Sequence, residues 1–535
     1  MKAPDTTSAA RPASDSPANG AGAQNATEVF AVHGAEPEVQ AYAMAKYSRS
    51  ALSMRESLKE ISEQKAEKFL NTFYFQYGHR SIADLAHVAM AIEKLSLLAA
   101  IALVDEQRWD GQERSTRYQE FRKSGWYTPE FGASPETRAI YEEAIRNLFL
   151  EYEVLSEGTW RWLAERTPRP VEMKQEAYER TLRARAFDIS RYLLPLATNT
   201  SLGQIVNART LEMQVSRLLS SPQAEIRQLG ELLKAAAREP AYNVNAEKWA
   251  ALVEQVRVLD EGLGSRVSEE LLKPVRVSPT LVKYAEPNAY AQRSRQELTQ
   301  AAAELMGEET TDPAALVDLL EAEPPEIEIA TSLLYEHCHY PYRQIRRRVE
   351  ALPEKRRAEL VALGWKDRGK HDELLRAYCS GQQFRFDILM DIGGFRDMHR
   401  HRRCIQLLQD FTVAHGFDTP DEVKAAGVQE RYSAVMNKAA QAAAEIASRL
   451  RAAGDPEAAE KAQYLIPLGY RKRALFKMDF AEVVYISELR SAPAGHMSYR
   501  RVSYEMYRAV AQRHPALKDC FRVHDPSEPV DILKR

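Results

Sequence analysis

Residues 190–227 read "SRYLLPLATNTSLGQIVNARTLEMQVSRLLSSPQAEIR", and residues 462–500 read "AQYLIPLGYRKRALFKMDFAEVVYISELRSAPAGHMSYR". Tyr192 and Pro195 match Tyr464 and Pro467 at an offset of 272 residues, and Arg217 and Arg227 match Arg490 and Arg500 at 273. A register that slips by one residue over roughly forty marks an internal repeat. The likeness extends upstream, where "GHRSIADLAHVAMAIEKLS" (78–96) is echoed by "GKHDELLRAYCSGQQFRFDILMDIG" (369–393). Further back, "TEVFAVHGAEPEVQAYAMAKYS" (27–48) is echoed by "SPTLVKYAEPNAYAQRSRQEL" (278–298). A tandem duplication is therefore expected, one unit over 29–262 and a second over 275–520. The join at 263–274 falls in "LGSRVSEELLKPVRVSP", where glycine, serine and two prolines break periodicity. Two homologous units in one chain are expected to pack about a pseudo-twofold axis.

The length of 535 residues agrees with two domains rather than one. A formal charge of −3 gives no global basic field to hold a nucleic acid. Residues 1–28, rich in Ala, Ser, Pro and Gly, have little to bury and are expected to form a disordered tail; 521–535 is a short C-terminal tail. No apolar run approaches the roughly eighteen residues of a membrane span, and no compact leader is present, so a cytoplasmic protein is expected. The cysteines at 338, 379, 404 and 520 lack CxxC spacing and need no disulfide scheme.

Residues 428–454, "VQERYSAVMNKAAQAAAEIASRLRAAG", carry strong helix formers, an apolar stripe and a Gly-Asp-Pro stop. Their counterpart is 135–166, "PETRAIYEEAIRNLFLEYEVLSEGTWRWLAER". Short runs such as "FRFDILMDI" (384–392) and "MDFAEVVYI" (478–486) are expected as strands. The mixture predicts a helix-rich α+β fold (mixed α/β content) in each unit.

Two stretches carry chemistry. The first is "MHRHRRC" (398–404), inside an expected helix "FRDMHRHRRCIQLLQDF". His399 and His401, two apart, would point to opposite sides of a helix, and the arginines would repel an ion, so no metal site is expected. Arg396 and Arg400, at i,i+4, would share a face and could grip phosphate by their planar forks. The alternative is a solvated face paired with Asp397 and Asp410. The cluster lacks interleaved aromatics, which argues against nucleic acid. The second stretch is "DGQERSTRYQEF" (110–121), whose Ser115, Thr116 and Arg117 suit an anionic group, or make an ordinary polar loop. Cys404 beside the arginines is read as a buried, inert thiol.

"GHxSxxD" (78–84), "ERSTRY" (113–118), Arg191-x-x-Leu-Pro, Asn207-Ala-Arg209 and "QAEIR" (223–227), in that order, resemble the flavin-dependent thymidylate synthase family. Its signature runs RQ-x-x-RHR and then E-x-S-x-RY, and the resemblance covers nearly the whole chain, one family unit per half. It implies methylation of dUMP at the pyrimidine C5, with methylenetetrahydrofolate as carbon donor, FAD as carrier and NADPH as reductant. Carried over residue by residue, it assigns Glu113, Ser115, Arg117, Arg191 and Arg396 to the nucleotide, and Arg490 or Arg217 to charge developing on the uracil. Arg400, His401 and Arg402 would hold the flavin diphosphate, with Asn207, Arg209 and His79 as further flavin contacts.

Each half keeps a different part. The first has Asp105-Glu106-Gln107 in place of RHR; the second has Leu408, Asp410 and Thr412-Val413 in place of E-x-S-x-RY, and Gln463 in place of Arg191. The glutamine after the family's first arginine is Asp397 here, and its early Glu-His is Asp84-Leu85. The complementary losses predict a composite site, RHR from one unit and ERSTRY from the other. The family is homotetrameric, so a homodimer of this chain would form a pseudo-tetramer. A flavoenzyme acting on another pyrimidine nucleotide, and a non-catalytic binding paralogue, fit the same residues.

Overall fold

The computed structural model describes residues 36–46, 80–293 (except 133, 284 and 290), 296, 299, 315–320, 324–335, 342–366, 374, 376–378, 383–531 and 533. The N-terminal tail, His79, Cys338 and Cys379 lie outside the described residues. In the first half β1 (His87–Ser96) runs into helix α1 (Leu97–Leu103) and then β2 (Asp110–Glu113). Helices α2 (Pro135–Arg166) and α3 (Gln175–Ser190) follow, then β3 (Asn199–Asn207), α4 (Ala208–Leu219) and α5 (Ala224–Arg238). The second half repeats the order after an added edge strand, β4 (Val317–Leu319): β5 (Phe384–Asp391), α6 (Ile392–Met398) and β6 (Ile405–Leu408). It continues with α7 (Gln429–Ala452), α8 (Ala458–Gln463), β7 (Arg471–Met478), α9 (Phe480–Ser491) and α10 (Met497–Arg513). Both sheets are antiparallel, ordered β1-β3-β2 and β4-β5-β7-β6, so the duplication is visible strand by strand.

The same caps turn strand into helix in both halves. Ser96 accepts from the Ala99 N–H at 2.9 Å to start α1, and Asp391 accepts from Gly394 N–H at 2.6 Å to start α6. Asn207 caps α4 through Thr210 N–H and Asp479 caps α9 through Glu482 N–H.

Three expectations change. "MDFAEVVYI" is not a strand: Asp479 stops β7 and caps a helix, whose Phe480, Val483, Val484 and Ile486 face the core, so burial on a 3.6-residue period overrides β-branching. The helix expected across "FRDMHRHRRCIQLLQDF" ends at Met398, and Ile405–Leu408 pairs with β7 as an edge strand. Gln406 ties down the intervening turn, donating to the His401 carbonyl at 2.8 Å and bonding His399 Nδ1 at 2.8 Å. Overlapping the expected join, Glu261–Leu271 is a helix capped by Asp260, because helix formers outweigh its two glycines and two serines.

Helices α2 and α7 pack antiparallel, with Arg431–Glu151 and Arg449–Glu136 ion pairs along the seam; α7 stops before Gly454, whose φ of +76° suits only glycine comfortably. A pseudo-twofold passes through the paired Tyr-x-x-Pro turns. Leu196 N–H donates to the Ile466 carbonyl and Leu468 N–H to that of Leu194, both at 3.0 Å. Ala197 to Tyr464 and Gly469 to Tyr192 repeat the exchange at 2.9 Å. One apolar core runs through both halves.

Candidate functional site

Arginines from both halves converge on one buried cluster. β2 lies close against β3 because residue 111 is glycine; a Cβ there would strike the Gly203 carbonyl and the Trp109 ring. The strand ends at Glu113, and Ser115 Oγ then accepts from Arg117 N–H at 3.2 Å, tightening the turn that brings Thr116 and Arg117 inside. Glu113 is the hub. Arg396, in the last turn of α6, donates to one of its oxygens and also to Thr116 Oγ1 at 3.3 Å. Arg400, beyond the helix end, reaches the other oxygen at 3.4 Å.

Arg191 lies in the 3-10 turn after α3 and is 1% exposed. Its Nη1 is 3.5 Å from Thr116 Oγ1 and 3.6 Å from Asp397 Oδ2, while Nε and Nη2 are buried with no partner. Arg117 is fully engaged: Nε donates to Asp188 at 2.7 Å, Nη1 to the Tyr499 hydroxyl at 2.6 Å and Nη2 to the Ala494 carbonyl at 3.2 Å. Arg490 donates from Nε to His401 Nε2 at 2.8 Å, and its guanidinium lies 5.6 Å from the centre of the Tyr499 ring. Since Nε2 accepts, the His401 proton sits on Nδ1, which faces Glu482 at 3.5 Å. Burial, then a hydrogen-bonding Glu482 working the other way, sets the His401 pKa, which ends below its ordinary value.

Five guanidiniums (Arg117, Arg191, Arg396, Arg400, Arg490) thus gather around three carboxylates (Glu113, Asp188, Asp397) in a largely buried place, with Asp391 also acting on Arg191 and Glu482 behind His401. Burial works to raise the Asp188 carboxyl, but Arg117 and then His496 hold it down at about 2. Asp397 is likewise held below the usual range, against burial, by Arg191, Arg117, Arg490 and Arg400. His496, buried and beside Arg191, is pushed down to about 3 and stays neutral. Arg402, whose guanidinium covers Trp109 at 4.3 Å, has a buried Nε without a partner; burial and Arg400 depress it to about 10, so it remains charged at neutral pH. Such unpartnered buried donors are what an anion would satisfy.

The pseudo-equivalent place in the other direction is dismantled. Where the cluster has Glu113, Thr116, Arg117, Arg191, Arg396 and Arg400, the matching positions are Leu408, Phe411, Thr412, Gln463, Ile101 and Asp105. Buried Lys472 fills that region, bonded to the Gln409 carbonyl and 4.0 Å from the Phe411 ring centre.

Glu113, Ser115, Arg117, Arg191, Arg396, Arg400, His401 and Arg490 are therefore drawn together or linked through one another, with Arg402 on the same turn. Arg217, Arg209 and Asn207 are engaged elsewhere, on α4: Arg217 with Glu106 at 2.9 Å, Arg209 with Asp84 at 2.9 Å, and Asn207 as the helix cap. Cys404 is buried, its thiol pushed up to about 12 by burial and pointing at the His401 carbonyl, as an inert thiol should be. Asp188, Tyr499 and His496 complete the cluster without having been singled out from sequence. Asp188 stands three residues before Arg191, on the helix that positions it, but Tyr499 meets Arg117 across 382 residues and no local pattern reveals it. Among the described residues no helix is long and apolar enough to cross a membrane, and no group of His, Cys, Asp or Glu could hold a metal ion.

A duplicated helix-rich α+β chain with split arginine motifs matches one family. The chain belongs to the thymidylate synthase complementing protein family, whose profile fits it twice, over residues 30–241 and 326–516. Among its relatives, a UPF0159 protein of Chlamydia muridarum is 27% identical, spanning 94% of this chain and 92% of its own. Another of that name, from Thermoplasma acidophilum, is 24% identical over 91% of this chain and 95% of its own. A flavin-dependent thymidylate synthase of Clostridium tetani is 28% identical over 39% of this chain and 80% of its own, as befits one unit against two.

Proposed function

We propose that this chain catalyses the reductive methylation of dUMP to dTMP, using methylenetetrahydrofolate, FAD and NADPH, at a composite site where its halves meet. The observation that carries this reading is Arg191: a fully buried guanidinium with two unpartnered nitrogens, inside an arginine cluster built from both halves. Ser115 and Arg191 would bind the nucleotide phosphate in the field of Arg117, which Asp188 and Tyr499 fix in place, with Glu113 holding Arg396 and Arg400. For C5 to attack the one-carbon donor the uracil must first be electron-rich, with negative charge held on its ring carbonyls. Arg490, fixed by neutral His401 and its partner Glu482, is placed to stabilise that charge without reorganising. Arg400, partly exposed, and Arg402, with its buried free Nε, fit a flavin diphosphate, while His401 acts through Arg490. Bound flavin would supply the redox and one-carbon carrier chemistry, so no protein nucleophile is required.

A homodimer would bring four units together. Tyr485 and Met213, at equivalent positions on α9 and α4, are both about half exposed, as are Ile205 and Leu407 on the sheets, which is the apolar surface such an assembly would cover. Sedimentation at the mass of one chain would remove this part of the reading. Asp397, in place of the family's glutamine, favours as a second reading another pyrimidine nucleotide as substrate.

Complementation of a thymidine auxotroph, with dTMP formation from dUMP, methylenetetrahydrofolate and NADPH, tests the whole. A protein that stays colourless with FAD sinks both readings; a yellow protein that makes no dTMP leaves the second. Arg117→Ala and Arg402→Ala, one in each half, should each abolish nucleotide or flavin binding, and full retention in either removes the composite site.

A further inference from the structure

Asp397 is the carboxylate in the cluster that nothing holds firmly. Glu113 is bonded by Arg396 and Arg400, and Asp188 by two nitrogens of Arg117. Asp397 faces Arg191 Nη1 at 3.6 Å, too long for a hydrogen bond, and its side chain is 22% exposed while that of Arg191 is 2% exposed. It is the more exposed partner of the pair, with Arg117, Arg400 and Arg490 also close enough to act on its charge. The Nε and Nη2 atoms of Arg191 stay unpartnered even so. A carboxylate here is a weak internal stand-in for an anion. It neutralises part of the field that would attract a phosphate, without satisfying the donors that a phosphate would.

We propose that Asp397 is a counter-anion gate that sets how tightly an anion must bind to enter: a phosphate group enters by displacing this carboxylate from Arg191. This rests on the reading of the cluster as a phosphate site. The gate makes the site discriminate against weakly held anions, because each must outcompete a tethered carboxylate, and it favours ligands whose other parts add binding of their own. A nucleoside monophosphate meets that condition; free phosphate does not. The equivalent position in the dismantled place is Ala102, so the carboxylate belongs only to the side that keeps its arginines.

The test is titration calorimetry with inorganic phosphate and with dUMP on wild type, Asp397→Asn and Asp397→Gln, each checked for a cooperative melt. Removing one like charge from the entry should tighten inorganic phosphate by on the order of tenfold or more, and dUMP in the same direction. Unchanged or weaker phosphate binding in both variants overturns the gate, since the carboxylate would then be a ligand or a bystander. Tighter phosphate with no dUMP binding in any variant keeps the gate and instead removes the nucleotide reading. Should neither variant fold, a wild-type crystal structure with phosphate decides. Asp397 turned away from Arg191 supports the proposal, and Asp397 still facing Arg191 beside a bound phosphate overturns it.

Discussion

Arg117 and Asp188 form a buried ion pair whose remaining donors are met by Tyr499 and a backbone carbonyl, so each partner would be stranded without the other. Asp188→Asn should cost roughly 3–5 kcal/mol in urea unfolding at neutral pH, because Arg117 keeps its charge in a place that no longer repays it. Asp188 sits below its unfolded value, at about 2, so its contribution is present above about pH 4 and is lost as pH falls through 2. Asp391 behaves in the opposite sense. Burial, then Asp418, raises it to about 6, against Ser498, Arg191 and the Gly394 N–H. Its folded state favours the proton, so that contribution is full below about pH 4 and is lost as pH rises through 6, at most about 3 kcal/mol. Asparagine still caps α6 without titrating. Asp391→Asn should therefore melt higher than wild type at pH 7, with the two converging towards pH 4; melting curves that stay parallel across that range would contradict this.

At the scale of elements, β2 is a four-residue edge strand whose placement aims Glu113, Thr116 and Arg117. Gly111 sets how closely it lies on β3. Gly111→Ala should push the strand away at an overpacking cost of about 1–3 kcal/mol, and should weaken nucleotide binding more than it lowers the melting temperature. Comparing dUMP affinity with stability in one variant checks this; equal proportional losses would point to general unfolding. The repeated strand-to-helix switches were partly legible in sequence. Strand β5 and the long helices α2 and α7 follow from composition and stop signals, whereas α9 does not, since "MDFAEVVYI" has the local look of a strand. Its counterpart α4 starts at the Asn-Ala-Arg motif, and aligning Asp479 with Asn207 as a cap would have shown the error.

The two halves share backbone bonds at the pseudo-twofold and one continuous core, so neither buries its apolar surface alone. Scanning calorimetry of the whole chain should show one unfolding transition. Either half expressed by itself should lack a cooperative melt. With one arginine cluster intact and the other filled by Lys472 and Phe411, dUMP should titrate at one per chain; two equal sites would contradict the asymmetry. Duplication of this kind frees one copy of each site to drift, because the other direction across the axis still brings a full set of residues together.

By itself the sequence determined the repeat, the helix-rich α+β class, and which arginines and acids each half had kept or lost, because register and motif order are properties of the chain. It also implied that the halves complement each other. Tertiary structure alone decided how the charges are matched: Glu113 to Arg396 and Arg400, Arg117 to Asp188 and Tyr499, Arg490 to His401, and Arg191 to Thr116 and a loose Asp397, with two nitrogens unpartnered. Ion pairing and burial act through space over a few ångströms, and the partners here stand up to 382 residues apart along the chain.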